Sequence, residues 1–365
     1  MNEIDGSDIM NISRAPAEQN IDEDLKRILE ERKAQIVVVG TGGAGNNTIT
    51  RLTTVGIVGA ETVVINTDAQ DLLYADADRK ILIGKELTSG LGAGADPNVG
   101  QESARESKDQ IKKALQGADM VFITCGLGGG TGTGSAPVIA EVAKKLGALT
   151  VGIVTLPFQM EGMQRSENAR RGLEQMEAGV DTLIVIPNDK LLEIVPDVSL
   201  NTAFKIADEI LVNAVKGVTE LVTKPGLINL DFADIRAVMG QGGIAMIGMG
   251  QSDTENRARE AVGKALTNPL LDVEIDGGNG ALINVTGGPD MTLKEAQEVV
   301  TAVSEKLDAS AKVIWGAQVQ KNLENSLRAM IIVTGVHSPQ IFGPDQSFRA
   351  EYTKEIEKEL GIEFV

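Results

Sequence analysis

Residues 126–134 read GLGGGTGTG, and the reading of this stretch decides the fold. Gly126, Gly128, Gly129, Gly130, Gly132 and Gly134 carry no side chain, while Thr131 and Thr133 supply hydroxyls. Without Cβ atoms, successive backbone N–H groups can converge on an anion and adopt dihedrals closed to other residues. The apolar run Met120-Val121-Phe122-Ile123-Thr124 before it predicts a buried strand. Residues 135–142 after it predict a helix start, with Ser135 as N-cap and Pro137 in the first turn. Strand, glycine loop and helix N-terminus together form an anion site. A flexible linker is the bland alternative, and a setting between a buried strand and an apolar helix argues against it.

Working outward, Gln35–Val39 predicts a strand, Gly40-Thr41-Gly42-Gly43-Ala44-Gly45 a tight loop, and Asn46 onward a helix, a second glycine-loop βα unit. Further strands are expected at Thr62–Asn66, Lys80–Ile83, Ala148–Thr155 and Thr182–Pro187, with helices around 100–116, 135–146 and 164–178. Such alternation implies a mostly parallel α/β sheet. Its ligand crevice lies outside the C-terminal strand ends, where both glycine loops fall. From Asn201 to Thr223 the apolar residues, Ala203, Ile206, Ile210, Leu211, Val215 and Val218 among them, read as one helix of ~35 Å ended by Pro225-Gly226. Beyond it, strands at Ile244–Met249, Ala281–Thr286, Ala311–Trp315 and Arg328–Thr334 and helices at Glu255–Leu266 and Leu293–Glu305 suggest a smaller α+β domain. The expected organisation is a flexible N-terminus with a short helix (1–33), a nucleotide-binding domain (34–200), a central helix (201–224), the α+β domain (225–340) and a tail (341–365).

A chain of 365 residues is long enough for two domains. Its net charge of −18 argues against a grip on a nucleic-acid backbone, and an aromatic content of 3% leaves few stacking platforms. A nucleotide remains open, because local amides and a cation can offset global charge. The single cysteine, Cys125, excludes an internal disulfide and fits a reduced, intracellular compartment. It reads as a small buried thiol rather than a nucleophile. The single histidine, His337, reads as structural or solvated. Neither a leader peptide nor an apolar run near the ~20 residues that span a bilayer is present, so secretion and direct membrane insertion are not expected.

The first loop, GTGGAGNN at 40–47, resembles a dinucleotide fingerprint, which makes an NAD-dependent Rossmann oxidoreductase the first rival. That fold needs an acidic residue about 20 positions on to hold ribose, and Asp68 stands near that place. The rival leaves GLGGGTGTG unexplained. The P-loop pattern GxxxxGK[ST] and the NKxD string are both absent. GGGTGTG at 128–134 resembles the nucleotide loop of the tubulin/FtsZ family, in its FtsZ form. GGAGNN at 42–47, NTDAQDL at 66–72, PFQMEGMQR at 157–165 and NLDFADI at 229–235 join it in family order, over roughly residues 30–340. The resemblance implies an α/β fold, a Rossmann-like parallel-sheet GTPase domain joined by a long central helix to a smaller α+β domain. It also implies a polymerising GTPase that binds GTP/GDP and Mg²⁺ and assembles head to tail in the mid-cell division ring of a prokaryotic cytoplasm.

By resemblance, the backbone amides of Gly42, Gly43, Ala44, Gly128, Gly129, Gly130, Thr131 and Gly132 line the phosphates, and Thr131 and Thr133 add hydroxyl or backbone donors. Asn47 is placed among the nucleotide-binding residues. Gly92-Ala93-Gly94-Ala95-Asp96-Pro97 matches a family loop near the γ-phosphate, and otherwise reads as a surface turn. Glu161 and Arg165, four apart, could be an exposed ion pair; the family places both at the nucleotide, the glutamate toward ribose. Phe204 and Asp208 share a helical face suited to an aromatic under a base and a carboxylate that accepts from guanine N1–H and N2–H. The resemblance assigns guanine selection to Asn46, Asn188 and Asp208.

Asp231 and Asp234 stand apart. If Asp208 meets the base, residues 208–224 carry the chain ~24 Å away. The family's answer is that Asn229, Asp231 and Asp234 enter the nucleotide site of the next subunit, where they position water and help hold cations. Taken alone, Asp231 reads as the N-cap of a helix over Phe232–Met239. No residue is nominated as a direct metal ligand. A non-hydrolysing nucleotide-binding regulator is the third reading, which the intact NLDFADI string opposes. Head-to-tail contact gives open filaments. The apolar tip Leu360–Val365 is expected to dock a membrane adaptor, with a frayed terminus as the alternative, and the tail is shorter than the linker of many relatives.

Overall fold

Neighbouring residues of single strands enter different cores. Val37 and Val39 pack into one hydrophobic cluster with Val121 and Ile123, while Ile36 and Val38 pack into a second with Met120 and Phe122. A sheet with both faces buried reads in sequence as continuous apolar runs, which is how these strands read. The computed structural model describes residues 34–190, 199–223, 227–228, 230–240, 243–267 and 278–336. The expected helix at 21–30, Asn229, His337 and the 341–365 tail with its apolar tip lie outside the described residues.

In chain order the elements are β1 (Ile36–Thr41), α1 (Gly42–Val55), β2 (Ala60–Asn66), α2 (Ala69–Tyr74), β3 (Arg79–Leu82), α3 (Lys85–Thr88), α4 (Pro97–Glu106), α5 (Lys108–Leu115), β4 (Met120–Gly126), α6 (Thr131–Lys145), β5 (Leu149–Leu156), α7 (Met163–Gly179) and β6 (Thr182–Pro187). There follow α8 (Leu200–Thr223), α9 (Phe232–Met239), β7 (Ile244–Ser252), α10 (Arg257–Leu266), β8 (Gly280–Gly287), α11 (Leu293–Ser304), β9 (Lys312–Val319) and β10 (Leu327–Thr334). Among the described residues the strands form one ten-stranded sheet in the order β3-β2-β1-β4-β5-β6-β7-β10-β8-β9. All pairs from β3 to β7 are parallel, β10 is antiparallel to β7 and β8, and β8 and β9 are parallel. β6 and β7 pair only at Leu183–Ile244 and Ile184–Ala245, so the sheet narrows where its two parts meet.

The first six strands run 3-2-1-4-5-6, the order of dinucleotide-binding folds, and its reversal point lies between β1 and β4. Helices α1, α2, α8 and α9 cover one face through Ile49, Leu72, Val215 and Met239. Helices α4 to α7, α10 and α11 cover the other through Ala104, Ile111, Ile139, Leu173, Val262 and Val299. Full burial of Ile49 and Leu52 ties α1 to the sheet, each side chain contributing roughly 1.5–3 kcal/mol. The 24-residue α8 runs beside α1: Thr48 Oγ1 donates to Asp208 near its start, and Thr223 Oγ1 donates to Val58 O at its end.

Three local expectations are corrected. Helix α1 begins at Gly42 rather than Asn46, and α6 at Thr131 rather than Ser135. Ser135 is therefore no N-cap; its Oγ donates to Thr131 O one turn back and shares a 2.6 Å hydrogen bond with Thr41 Oγ1. The glycines lie within the first helical turn because α6 presses on α4. A Cβ at Gly134 would stand 2.0 Å from Pro97 O, and one at Gly100 would stand 2.4 Å from Gly130 O. The helix expected over 100–116 is two helices, α4 and α5, broken at Ser107, whose hydroxyl accepts from Gly84 N.

Candidate nucleotide site

Strands β1 and β4 are neighbours, and each runs at its carboxyl end into a helix start. The two starts touch: a Cβ at Gly42 (φ +71°) would lie 2.8 Å from Gly132 N, and one at Gly126 would lie 2.9 Å from Ala44 Cβ. Neither α1 nor α6 has a side-chain N-cap; their N-cap residues, Thr41 and Gly130, make no capping bond. Asp68, Asp96, Asp231 and Thr292 cap α2, α4, α9 and α11, while α3, α5, α7 and α10 also start without a side-chain cap, so it is the adjoining of two such starts that sets α1 and α6 apart. Two adjoining helix N-termini with uncapped amides and aligned positive dipole ends make a strong anion cradle. Gly129 lies in the loop with nothing within 4 Å of its Cβ direction.

Other sequence-nominated residues gather at this end of the sheet. Asn46 is buried, its Nδ2 donates to Asp71 Oδ2 at 3.0 Å, and its Oδ1 has no protein partner. Asn188, just beyond β6, is also buried with an unpartnered Oδ1. Two buried acceptors left over at the carboxyl end of the sheet are free to take donors from a bound ligand. Asn47 is exposed on α1. Phe204 keeps 39% exposure while its ring meets buried Phe158 edge to face at 5.3 Å, so a large aromatic surface remains open beside the crevice. Asp208 Oδ1 accepts from Thr48 Oγ1 at 3.3 Å. Burial raises the Asp208 carboxyl above its ordinary value, against the opposing pull of Thr48 and Arg51.

Glu161 and Arg165 do pair, Nη1 to Oε2 at 2.6 Å, and Glu161 Oε1 also accepts from Phe158 N. The pair stands at the loop nonetheless, because Arg165 O would be 2.9 Å from a Cβ on Gly128 (φ +106°). Thr133 Oγ1 accepts from Gly128 N at 2.9 Å, a use within the loop. The Gly92–Pro97 segment is no detached surface turn: a Cβ on Gly130 would lie 2.9 Å from both Ala93 Cβ and Asp96 N. Cys125 is buried and its thiol is pushed up to about 12, which suits packing and not nucleophilic attack.

Residues without an assigned role also join the site. Thr67 Oγ1 and Thr131 Oγ1 share a 2.6 Å hydrogen bond between the two loop systems. Asp71 Oδ2 accepts from Asn66 Nδ2 at 2.6 Å as well as from Asn46, and burial, chiefly, lifts its carboxyl above the ordinary value. NTDAQDL carried the signal as a string, but which of its polar residues turn inward depends on β2 and α1 lying side by side.

Asp231 and Asp234 are not brought to this end. Both are exposed at the start of α9, where Asp231 caps by accepting from Ala233 N at 3.2 Å. Arg236 of the same helix donates to Gly147 O at 2.9 Å, and Thr182 Oγ1 donates to Met239 O. Gly147 follows the C-terminus of α6 and Thr182 begins β6, so α9 sits at the amino ends of β5 and β6. The cradle sits at the other end of α6, which is 15 residues and therefore about 22 Å long.

Asp68, the ribose ligand of the oxidoreductase reading, uses Oδ1 to cap α2 by accepting from Gln70 N and Asp71 N, and its Oδ2 lies beside Gly92. Among the described residues no helix is long and apolar enough to cross a membrane. A family model described as "Tubulin/FtsZ family, GTPase domain" matches residues 35–196, and one described as "FtsZ family, C-terminal domain" matches 243–337. The chain is 56% identical to a cell division protein FtsZ of Methanothermobacter thermautotrophicus over 95% of its own length and 91% of the relative's. Among solved structures, an empty FtsZ dimer of M. jannaschii is 62% identical with a TM-score of 0.83, covering 88% of this chain and 92% of that one. CetZ1 of Haloferax volcanii, a GDP-bound monomer, is 26% identical with a TM-score of 0.75, over 87% and 99%. Neither the oxidoreductase nor the non-hydrolysing regulator finds support in these likenesses. The chain belongs to the tubulin/FtsZ family, on its FtsZ side.

Proposed function

We propose that this protein is a polymerising GTPase of cell division, assembled head to tail, in which each subunit binds GTP and the next supplies the carboxylates for hydrolysis. The observation that carries the reading is the separation of the two half-sites. Two uncapped helix N-termini form an anion cradle at one end of the sheet, and the exposed Asp231 and Asp234 stand at the other. A heterologous contact that joins unlike ends completes the site and leaves a free copy of each half at the filament tips.

In this reading the amides of Gly42–Ala44 and Gly128–Gly132 hold the phosphates. Phe204 stacks on the base, and Asp208, Asn46 and Asn188 accept from guanine and ribose, with Glu161 and Arg165 toward the sugar. The Gly92–Pro97 segment closes the end of the polyphosphate. Asp231 and Asp234 of the neighbouring subunit, with Asn229, orient the water that attacks the γ-phosphate in line, without a covalent intermediate. Mg²⁺, when bound with the nucleotide, would supply charge neutralisation. It would need few protein ligands, and Asp68 and Asp71, whose Oδ2 atoms lie beside Gly92 and Gly43, would meet its waters. The division into a GTP-binding part (34–200), central helix (201–224) and C-terminal part (225–340), the docking of Leu360–Val365 on a membrane adaptor, and residence in a cytoplasmic mid-cell ring belong to the same proposal.

Light scattering with GTP and Mg²⁺, recorded beside phosphate release at a series of protein concentrations, tests it. Scattering that needs GTP and turnover per subunit that rises with concentration are expected. Turnover independent of concentration, or NAD binding in place of GTP, overturns the reading.

A further inference from the structure

Asn168 lies on α7 at 6% exposure, on the same helical face as Gly172. Its Nδ2 donates to two main-chain carbonyls from different loops, Ala95 O and Gly128 O, each at 3.3 Å. Its Oδ1 accepts from Gln164 Nε2 at 3.2 Å. These partners fix the amide's orientation, because the reverse one would set its oxygen against two carbonyl oxygens. Both anchored residues have left-handed backbones, Ala95 at φ +62° and Gly128 at φ +106°. For Ala95, which has a Cβ, that conformation is strained and persists only where its surroundings hold it.

The two loops are otherwise separate in the chain. Residues 92–97 lead into α4, and residues 126–130 lead from β4 into α6. They meet where Gly130 lies under Ala93 and Asp96, and Asn168 is the side chain that holds both from behind. Gly172, one turn on, lets α7 approach, since a Cβ there would stand 2.5 Å from Thr133 Cγ2.

We propose that Asn168 is a positioning residue for the polyphosphate: it clamps the strained 92–97 loop onto the glycine loop and so sets the width of the cradle at its outer end. This rests on the GTP reading above. The helix N-termini supply their amides with or without the clamp, so the inner phosphates are held either way. The outermost phosphate depends on the second loop being in place. Loss of the clamp should therefore discriminate between tri- and diphosphate.

The test measures fluorescent GTP and GDP analogues binding to full-length wild type, Asn168→Asp and Asn168→Ser, with thermal unfolding recorded beside each. Asn168→Asp keeps the shape but places a carboxylate on two carbonyls, and Asn168→Ser can donate to at most one. Asn168→Asp should weaken the triphosphate about tenfold more than the diphosphate, with Asn168→Ser in between. A merely structural role would lower the melting temperature and weaken both nucleotides alike. An unchanged ratio of the two affinities in both variants overturns the clamp, and if Asn168→Asp does not fold, the ratio for Asn168→Ser decides alone. Wild type that fails to bind GTP overturns the parent reading and the clamp with it, whereas wild type that binds GTP beside variants of unchanged ratio overturns only the clamp.

Discussion

At the scale of single residues, Asp208 shows a site held at some cost to the fold. Burial raises its carboxyl above the ordinary value, more than the Thr48 hydroxyl and Arg51 lower it. The sign follows directly. The native state binds this proton more readily than the unfolded chain, so the group's contribution to stability falls as pH rises from the ordinary carboxylate value through the raised one. Ionised, the carboxylate opposes folding, a cost that guanine donors would offset in the proposed GTP site. Asp208→Asn, which keeps an acceptor for Thr48, should raise the melting temperature of nucleotide-free protein at pH 7 on the order of 1–2 °C. It should also weaken GTP by roughly 10- to 100-fold, the worth of hydrogen bonds to a charged acceptor. Thermal scans and nucleotide titration check both halves; a variant that loses stability and affinity together would show the carboxylate to be structural.

Among the elements, the glycine loop divides into positions with open space at Cβ and positions closed by packing, and the sequence could not separate them. Gly129 and Gly134 look alike in GLGGGTGTG. A Cβ at Gly129 meets nothing within 4 Å, while one at Gly134 would lie 2.0 Å from Pro97 O and 2.6 Å from Gln101 N, both backbone atoms that cannot swing aside. Gly129→Ala should fold with a melting temperature close to wild type yet bind GTP more weakly, because its methyl enters the cradle. Gly134→Ala should cost at least ~1–3 kcal/mol by forcing α6 off α4, and urea unfolding of the pair checks the contrast. Equal destabilisation of both would refute the division. Strand runs and the long helix were legible because apolar periodicity is a local signal, and the end of the sheet where the candidate residues gather followed from the glycine loops. The helix starts at Gly42 and Thr131 were not legible, since glycine lowers helix propensity and only α4 packed across the gap makes it useful there. Asn168 was missed for a related reason. A polar residue in a helix gains meaning only when two loops distant in sequence bring their carbonyls to it.

For the molecule as a whole, the two halves of the proposed site lie about 22 Å apart along α6, so no small movement within one subunit unites them. If neighbours complete each other, two differently inactivated chains must be able to restore activity. Asp208→Ala should bind GTP poorly but still present Asp231 and Asp234; Asp234→Ala should bind GTP but present an incomplete pair. Each alone should hydrolyse at a small fraction of the wild-type rate. Mixed in equal amounts above the assembly threshold, they place some Asp234→Ala nucleotide sites against intact Asp231–Asp234 pairs, and phosphate release should recover to a substantial part of wild type. The net charge of −18 bears on the conditions, because like-charged subunits repel over a screening length of ~10 Å at 0.1 M salt. The mixture should therefore be assayed across ionic strengths, with scattering recorded to verify that both chains enter the polymer. Recovery that follows co-assembly supports completion in trans. Co-assembled filaments that stay inactive at every ratio would mean that Asp234 does not act across the interface, and that the carboxylates of α9 serve their own subunit's fold.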